Sequence, residues 1–162
     1  TPDGLNNPNY QEALKIFKEY YSKNYNVFTH AYEGMLDVVK ELKKDGFIVT
    51  VATNKIIDVA KELLEIHYPG QFDFIQGDAV GVNKKPHPDM INNIIRHYKV
   101  TKDDVLYIGD TNVDEETARN GEVDYALVTY GYRTIEEIKN SCVTTNLIDT
   151  PNELLKYIRR NI

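Results

Sequence analysis

Two aspartates, Asp110 and Asp114, follow an apolar run in the segment VLYIGDTNVDEETARN, residues 105–120. Carboxylates this close together repel one another unless a cation or hydrogen-bond donors offset their charge. Magnesium binds one or two protein carboxylates together with waters and substrate phosphate, so the pair fits a magnesium–phosphate site. The dipole of a helix starting here would also stabilise carboxylates without any ligand. That second interpretation accounts fully for Glu115 and Glu116, but less well for Asp110, which comes directly off the apolar run.

Thr53 and Asn54 follow another apolar run and precede a helix predicted to begin near Ile56. A hydroxyl and backbone N–H groups at a helix start are suited to binding a phosphate oxygen. Threonine and asparagine are also common caps of helix N-termini, so these two residues could serve only to begin that helix. The sequence leaves both interpretations open.

Lys85 lies in the segment NKKPHPD, where Pro86 and Pro88 each fix a backbone φ angle. A lysine in so restricted a loop points in a defined direction, and its ammonium suits a phosphoryl group or neighbouring carboxylates. A solvated surface lysine is the ordinary alternative. Lys84 is a second candidate for the same role, ranked lower because it lies farther from the proline.

Weaker candidates surround these residues. His87 lies in the proline loop, and Tyr130, Tyr132 and Arg133 follow a further predicted strand. Loop residues that a rigid sheet positions are often the ones that contact a ligand. The four histidines show no metal-ligand spacing with one another or with the single cysteine, Cys142, which argues against a zinc site.

Apolar positions switch between helical and strand periodicity along most of the chain. A first amphipathic helix is predicted from Pro8 to about Lys23, with Asn7 as its cap. From about Ala31 onward helices and strands alternate, which is typical of a parallel sheet covered by helices on both faces. Predicted helices span about residues 32–44, 56–66, 88–98 and 134–139, with a short helix after Asp114 and a last helix from Pro151; predicted strands span about residues 47–52, 72–76, 105–109 and 125–129, with a short strand near Leu147.

Ligands of such sheets collect beyond the carboxyl ends of the strands. Thr53, Lys85 and Asp110 each follow a predicted strand. We therefore expect the three side chains to meet at one edge of the sheet.

Composition narrows the range of partners. The chain has 162 residues, 41% of them hydrophobic, a formal charge of −6 and a pI near 5.2. This balance provides no basic surface for nucleic acid, and no apolar run approaches the roughly 20 residues of a membrane span. One cysteine cannot form an internal disulfide, and no secretory leader is recognisable. We expect a cytoplasmic protein that acts on a small molecule.

The set of motifs resembles the haloacid dehalogenase superfamily, in particular its phosphoglycolate phosphatase-like branch. Matching motifs run in the family's order over residues 32–160, as VATNK, KKPHPD, YIGDTNVD and VTYGYRT. The resemblance implies a Rossmann-like α/β core, Mg²⁺ as cofactor and a small phosphorylated metabolite as substrate. It also implies roles for the candidate residues: phosphate binding by Thr53, Asn54 and Lys85, catalysis by Thr53, Lys85 and Asp110, and metal binding by Asp110 with support from Asp114.

The resemblance also divides the chain. Residues 1–31 are similar to the end of a small helical cap, with the Pro8 helix as its last helix, and residues 32–162 to the α/β core without its first strand. The family forms an aspartyl-phosphate on the first aspartate of an Asp-x-Asp pair at the end of that strand. The segment TPDGL superficially resembles the pair, but it would put Thr1 at the nucleophile position with no strand before it. We therefore expect another segment, such as a preceding part of a longer chain, to supply the nucleophile, and these residues alone to be inactive.

In this family the missing strand lies between the strand that carries Thr53 and the strand that carries Asp110. Without it two strand edges face a gap, where each buried unpaired backbone group costs about 1–3 kcal/mol. Direct pairing of the two edges is the less favoured alternative.

The chain also departs from the family in the segment RNGEVD, where the family usually has Asn-Ala-Gly. We expect Gly121 to adopt the positive φ that ends the helix there.

The resemblance favours a magnesium-dependent phosphatase but leaves other functions open. A non-catalytic phosphate- or magnesium-binding or regulatory protein would keep the same residues without the nucleophile, and a phosphomutase of the same superfamily would share them all. A response-regulator receiver domain also places carboxylates, a threonine and a lysine at strand ends. Its acidic residues come first in the chain, whereas here Thr53 and Lys85 precede Asp110.

Overall fold

A computed structural model describes residues 6–161, apart from the side chains of Lys18, Ser22 and Lys23. The chain divides into one unit that extends to His30 and a second that begins at Ala31. The assignment of residues 1–31 to a cap stays a prediction, and Thr1 lies outside the described residues. In the part of the chain that the structure describes, no helix is long and apolar enough to cross a membrane.

The first unit contains helix α1, Tyr10–Asn24. The helix begins two residues after the predicted start at Pro8, because the chain first forms a turn in which the Asn7 side chain accepts a hydrogen bond from the Asn9 N–H at 2.9 Å. Asparagine is favoured in such turns because its side chain can replace a backbone acceptor.

The second unit alternates helices and strands as the sequence predicts, with shifted ends. Its helices are α2 (Met35–Lys44), α3 (Ile57–His67), α4 (Asp89–Tyr98), α5 (Asn112–Gly121), α6 (Ile135–Ser141) and α7 (Pro151–Asn161), and its strands are β1 (Thr50–Ile56), β2 (Phe74–Asp78), β3 (Leu106–Gly109), β4 (Asp124–Val128) and β5 (Leu147–Ile148).

The strands form two parallel sheets, which confirms the predicted α/β class. Strand β1 pairs with β2, and β3, β4 and β5 form a second sheet in that order. All of these pairs are parallel, as expected when each strand is followed by a crossover helix. Among the described residues β1 and β3 do not pair, so the alternative in which the two edges join directly is wrong.

Side chains of β3 alternate between two layers of core. Leu106 and Ile108 pack with α2 and α7, while Tyr107 packs with residues of α4 and α5. This period of two is what a strand covered on both faces requires. Strand β3 is therefore fixed between two helical layers although only one of its edges is paired.

A cleft of about 650 Å³ separates β1 from β3, and we refer to it as the interstrand cleft. It is lined mainly by apolar side chains from both strands and from the helices above and below them, among them Val51, Ala52, Val38, Ile91, Leu106 and Leu154. The unpaired edge of β1 and the unpaired edge of β3 face this space. It lies where the family resemblance predicts a missing strand.

The end of α5 differs from the prediction. Glu122, with φ 55° and ψ 44°, adopts the left-handed conformation, whereas Gly121 is the last helical residue. The expectation that Gly121 would take the positive φ is wrong. A Cβ at Gly121 would come within 3.1 Å of Ile91, so this glycine allows α5 to lie close to α4.

Candidate active site

Segments from both sheets meet beyond the carboxyl ends of the strands. They are the end of β1, the loop that follows β2 and the turn between β3 and α5. Direct contacts join them: Asn54 of β1 bonds to Lys85 of the loop, and Lys85 bonds to Asp114 of α5. The structure therefore brings together the three predicted clusters of polar residues.

Asp114 is the residue at which most of these contacts converge. Its Oδ1 accepts from the Lys85 ammonium at 2.7 Å and from the Tyr107 hydroxyl at 3.2 Å. Its Oδ2 accepts from the Thr111 hydroxyl at 2.6 Å and from the backbone N–H groups of Thr111 and Asp110 at 3.1 and 3.2 Å. Thr111 and Asp114 also form a capping box, so the same carboxylate fixes the start of α5.

The charge on Asp114 is stabilised by these donors. Burial alone would raise the pKa of this carboxyl, but the Lys85 ammonium and the hydrogen bonds from Lys85 and Thr111 more than offset burial, so its pKa lies below the usual value. The two side chains of the ion pair are 14% and 8% exposed. This is a partly desolvated pair rather than a surface contact.

Tyr107 takes part in the same cluster. Its ring packs between α4 and α5, and its hydroxyl lies 3.2 Å from both the Lys85 Nζ and the Asp114 Oδ1. Burial, followed by the charge of Asp114, raises the pKa of this phenol, so the hydroxyl stays a donor. Sequence reasoning did not select Tyr107; the available signal was a single hydroxyl in an otherwise apolar strand.

Asp110 lies beside Asp114 in a different environment. Its Oδ2 accepts from the Tyr132 N–H at 2.5 Å, and the structure gives it no cationic hydrogen-bond partner among the described residues. Burial and the neighbouring charge of Asp114 raise its pKa above the usual value, although the Tyr132 hydrogen bond and the Lys85 charge oppose them. A bound cation would relieve this unfavourable charge.

Two glycines create the room for these carboxylates. A Cβ at Gly109 would lie 2.1 Å from the Asp114 Cβ, and a Cβ at Gly131 would lie 2.2 Å from the Asp110 Cβ. Contacts this short do not occur, so any larger residue would displace the aspartate. The backbone is therefore shaped around Asp110 and Asp114.

The two carboxylates, Asp110 and Asp114, fit the ligand preferences of a magnesium ion. No group of three or more histidine, cysteine or acidic side chains suited to a metal occurs within residues 6–161. Magnesium does not require one, because it binds through one or two carboxylates and completes its shell with water and phosphate. Asp110 has the oxygen available for direct binding, whereas the oxygens of Asp114 are occupied by donors that hold it in place.

Thr53 lies within β1 rather than after it. The register between β1 and β2 shifts between Ala52 and Ile56, so residues 53–55 form a bulge that turns away from the ladder. The Thr53 hydroxyl accepts from the Lys55 N–H at 3.2 Å. The alternative in which Thr53 and Asn54 cap the following helix is wrong, since the N-cap of α3 is Ile56 and no side chain caps it.

The side chain of Asn54 binds the backbone of the lysine loop. Its Nδ2 donates to the Lys85 carbonyl at 3.1 Å, and its Oδ1 accepts from the Lys85 N–H at 2.8 Å. The predicted phosphate-binding role of Asn54 stays a prediction.

Lys84 and His87 point to other partners. Lys84 pairs with Asp78 at 2.7 Å, and His87 lies 3.0 Å from Asp89. Of the two lysines in this segment, it is Lys85 that contacts Asp114.

The helix dipole does not account fully for Glu115. Glu115 lies in the first turn of α5, but it is 3% exposed and accepts hydrogen bonds from the Val143 and Thr144 N–H groups and from the Tyr125 hydroxyl. It joins α5 to the loop before β5. Glu116, in contrast, is exposed as expected.

Comparisons with known proteins agree with the fold and identify the family. The sequence profile of the haloacid dehalogenase-like hydrolases matches residues 5–128, and the chain belongs to this family. It is 28% identical over 153 residues to a phosphoglycolate phosphatase of Aquifex aeolicus and 31% identical over 132 residues to one of Vibrio cholerae. The alignments cover 94% and 80% of this chain, and 70% and 58% of those relatives.

A solved structure supports the same relationship. A putative phosphoglycolate phosphatase from Lactobacillus delbrueckii subsp. bulgaricus superposes with a TM-score of 0.89 at 32% identity, over 95% of this chain and 64% of that one. The chain thus has the fold of these hydrolases but spans only about two thirds of that structure.

Proposed function

We propose that the full-length protein is a magnesium-dependent phosphatase that hydrolyses a small phosphomonoester such as phosphoglycolate. The observation that carries this proposal is the contact of Lys85 with Asp114 beside Asp110, at the carboxyl ends of the parallel strands. A cationic side chain next to a carboxylate pair suits a phosphate that binds together with a divalent cation. The similarity to phosphoglycolate phosphatases supports this choice of substrate class.

Each residue has a distinct task in this proposal. Asp110 binds the magnesium ion, and Asp114 orients both the Asp110 backbone and the Lys85 ammonium. Thr53, on the bulge of β1, and Lys85 contact the phosphoryl oxygens. Magnesium, when bound, supplies charge neutralisation for the phosphate and the carboxylates. Preorganised charges of this kind stabilise the transition state of phosphoryl transfer.

The nucleophile comes from a segment that fills the interstrand cleft. In the proposed reaction an aspartate at the end of that strand attacks the phosphorus, and the ester P–O bond breaks so that the substrate's alcohol leaves with a proton. Water then hydrolyses the aspartyl-phosphate to inorganic phosphate and the free aspartate. The cleft of about 650 Å³ is lined mainly by apolar side chains, which stay in contact with water unless another segment covers them. Two facing strand edges and an apolar lining suit an additional parallel strand.

The nucleophile segment distinguishes the phosphatase from a binding protein. Residues 6–161 contain no Asp-x-Asp pair. If the full-length protein also lacks such a pair, it would bind magnesium and phosphate but would not turn over substrate. A phosphomutase would have the pair and would transfer the phosphoryl group to a second hydroxyl instead of water.

The proposal is tested by Asp110→Asn in the full-length protein. We expect the rate of phosphoglycolate hydrolysis to fall by at least about 10²-fold, because the amide cannot replace the anionic magnesium ligand. Glu116→Gln is the matched control: it removes an exposed carboxylate from the same segment and should leave the rate unchanged. Near-normal activity of Asp110→Asn would refute the assignment.

A further inference from the structure

The backbone at Lys85 is held by an asparagine from the first sheet. One Asn54 amide both accepts from the Lys85 N–H, at 2.8 Å, and donates to the Lys85 carbonyl, at 3.1 Å. Asparagine carries a separate donor and acceptor on one short side chain, whereas aspartate lacks the donor and alanine lacks both groups. Asn54 lies on the bulge of β1, so its direction is set by the register shift there.

A second asparagine holds the next residue from the opposite sheet. Asn120, near the end of α5, donates from its Nδ2 to the Pro86 carbonyl at 2.9 Å. The helix α5 follows β3, which belongs to the other sheet. Two consecutive residues of the loop, Lys85 and Pro86, are thus fixed by side chains from either side of the interstrand cleft.

These contacts determine where the lysine side chain begins. Lysine has a long, flexible stem, so its ammonium is well placed only if its backbone is fixed. The Lys85 Nζ lies 2.7 Å from the Asp114 Oδ1, and the side chain is 14% exposed. A shift of about 1 Å in a positioned group can reduce a rate by about 10²-fold.

We propose that Asn54 and Asn120 form an asparagine clamp that positions Lys85 for the phosphoryl group. The two residues are positioning residues in this proposal, because their side chains bind the backbone of the lysine loop. The proposal deepens the proposed function and rests on it for the role of Lys85. The clamp itself rests only on the three hydrogen bonds to Lys85 and Pro86.

The first measurement is the activity of the full-length protein with phosphoglycolate and Mg²⁺. Asn54→Ala should lower kcat by about 10- to 100-fold, and Asn120→Ala, which removes one bond instead of two, by a smaller factor. The double variant should lose clearly less than the product of the two single factors, because the loop is already released in Asn54→Ala. Independent sites would multiply their effects to within about twofold, and that result would overturn the clamp.

The second measurement does not depend on turnover. Hydrogen exchange of the peptide that contains residues 84–87 should accelerate by about tenfold or more in Asn54→Ala, since the Lys85 N–H loses its acceptor. Asn83→Ala is the matched control: Asn83 lies in the same loop, but its side chain bonds to Asp89. Its exchange and kcat should stay close to those of the wild type.

The two measurements separate the two proposals. Unchanged exchange in Asn54→Ala would overturn the clamp, whatever the activity. Accelerated exchange together with a wild-type protein that hydrolyses no phosphomonoester would support the clamp and overturn the proposed function.

Discussion

Asp114 receives five hydrogen bonds, from Lys85, Tyr107, Thr111 and the backbone of Asp110. The same carboxylate therefore begins a helix, fixes a lysine and orients its neighbouring aspartate. Because these tasks share one side chain, substitution of Asp114 would disturb the fold and the site together. Substitutions around Asp114 separate these effects more clearly than substitution of the residue itself.

Gly131→Ala should impair the site without unfolding the protein. The new Cβ would overlap the Asp110 side chain, which is half-buried and must move aside. We expect kcat/KM with phosphoglycolate to fall by about 10²-fold in the full-length protein, with a weaker affinity for Mg²⁺ by calorimetry. Gly121→Ala is the control for crowding away from the carboxylates, since the nearest neighbours of its Cβ would be the Cδ1, Cγ2 and Cβ atoms of Ile91, at 3.1–3.7 Å. Equal activities of the two variants would contradict the tight approach at Asp110.

Tyr107→Phe should cost about 1 kcal/mol in the free energy of unfolding, measured with urea. The variant removes one hydroxyl donor from Asp114 while Lys85 stays in contact with the same oxygen. Tyr132→Phe removes a hydroxyl from a side chain that is 80% exposed and should change stability by less than about 0.5 kcal/mol. A Tyr107→Phe protein as stable as the wild type would show that the buried hydroxyl contributes nothing.

The site could be predicted where residue type and position after a strand both pointed to it. Lys85, Asp110 and Asp114 were found in this way. Tyr107, Asn120 and Glu115 were missed because their partners lie many residues away in the chain, and short-range patterns contain no information about them. Glu115 in particular looks like an ordinary acidic residue of a first helical turn.

At the level of elements, the end of α5 stores strain. Glu122 has a Cβ in the left-handed region, which costs about 1–2 kcal/mol, and its contact with Lys102 is a solvent-exposed ion pair. Glu122→Gly should therefore raise the free energy of unfolding by about 0.5–1 kcal/mol. Glu122→Ala loses the same ion pair but keeps the Cβ, and it should bring no gain. Thermal denaturation of the two variants side by side is the measurement.

The contact of Asp73, just before β2, with Val49, just before β1, should make the free energy of unfolding depend on pH. Burial would raise the pKa of this carboxyl, but the Lys43 ammonium and the Val49 N–H lower it further than burial raises it. A lowered pKa in the folded state contributes stability above the ordinary carboxyl pKa of about 3.9, and that stability is lost as the pH falls through the folded value.

Asp73→Asn tests this dependence. The variant should be less stable than the wild type by about 1 kcal/mol at pH 7, and the difference should shrink toward zero below about pH 4. Urea unfolding at several pH values would reveal it. A difference that stayed constant from pH 7 to pH 2 would mean that the charge of Asp73 is not involved.

Element types were predictable because apolar periodicity and capping residues act locally. The ends of the strands were less predictable than the element types. Strand β1 was expected over residues 47–52 but spans Thr50–Ile56. Its start is set by Asp73, which accepts from the Val49 N–H at 2.9 Å, and its end by the bulge opposite β2. Both are pairing effects between distant segments.

At the level of the whole molecule, the interstrand cleft divides the strands into two groups. We expect the β3 amides in a chain of residues 1–162 to exchange hydrogen at least about tenfold faster than those of β4, which has neighbours on both sides. In the full-length protein β3 should become as protected as β4, because the proposed strand would pair with its free edge. Slow exchange of β3 in the short chain would contradict an open edge.

The cleft also makes the stability of the folded chain depend on the concentration of any strand that binds in it. It is bounded by side chains and backbone edges of the folded chain, so a strand carried on a separate polypeptide would find the same partners. A peptide at 100 times its dissociation constant would add about 2.7 kcal/mol to the free energy of unfolding. Residues 1–162 would then act as the larger half of a split protein, and the recovery of phosphatase activity would report how much of the smaller half is present.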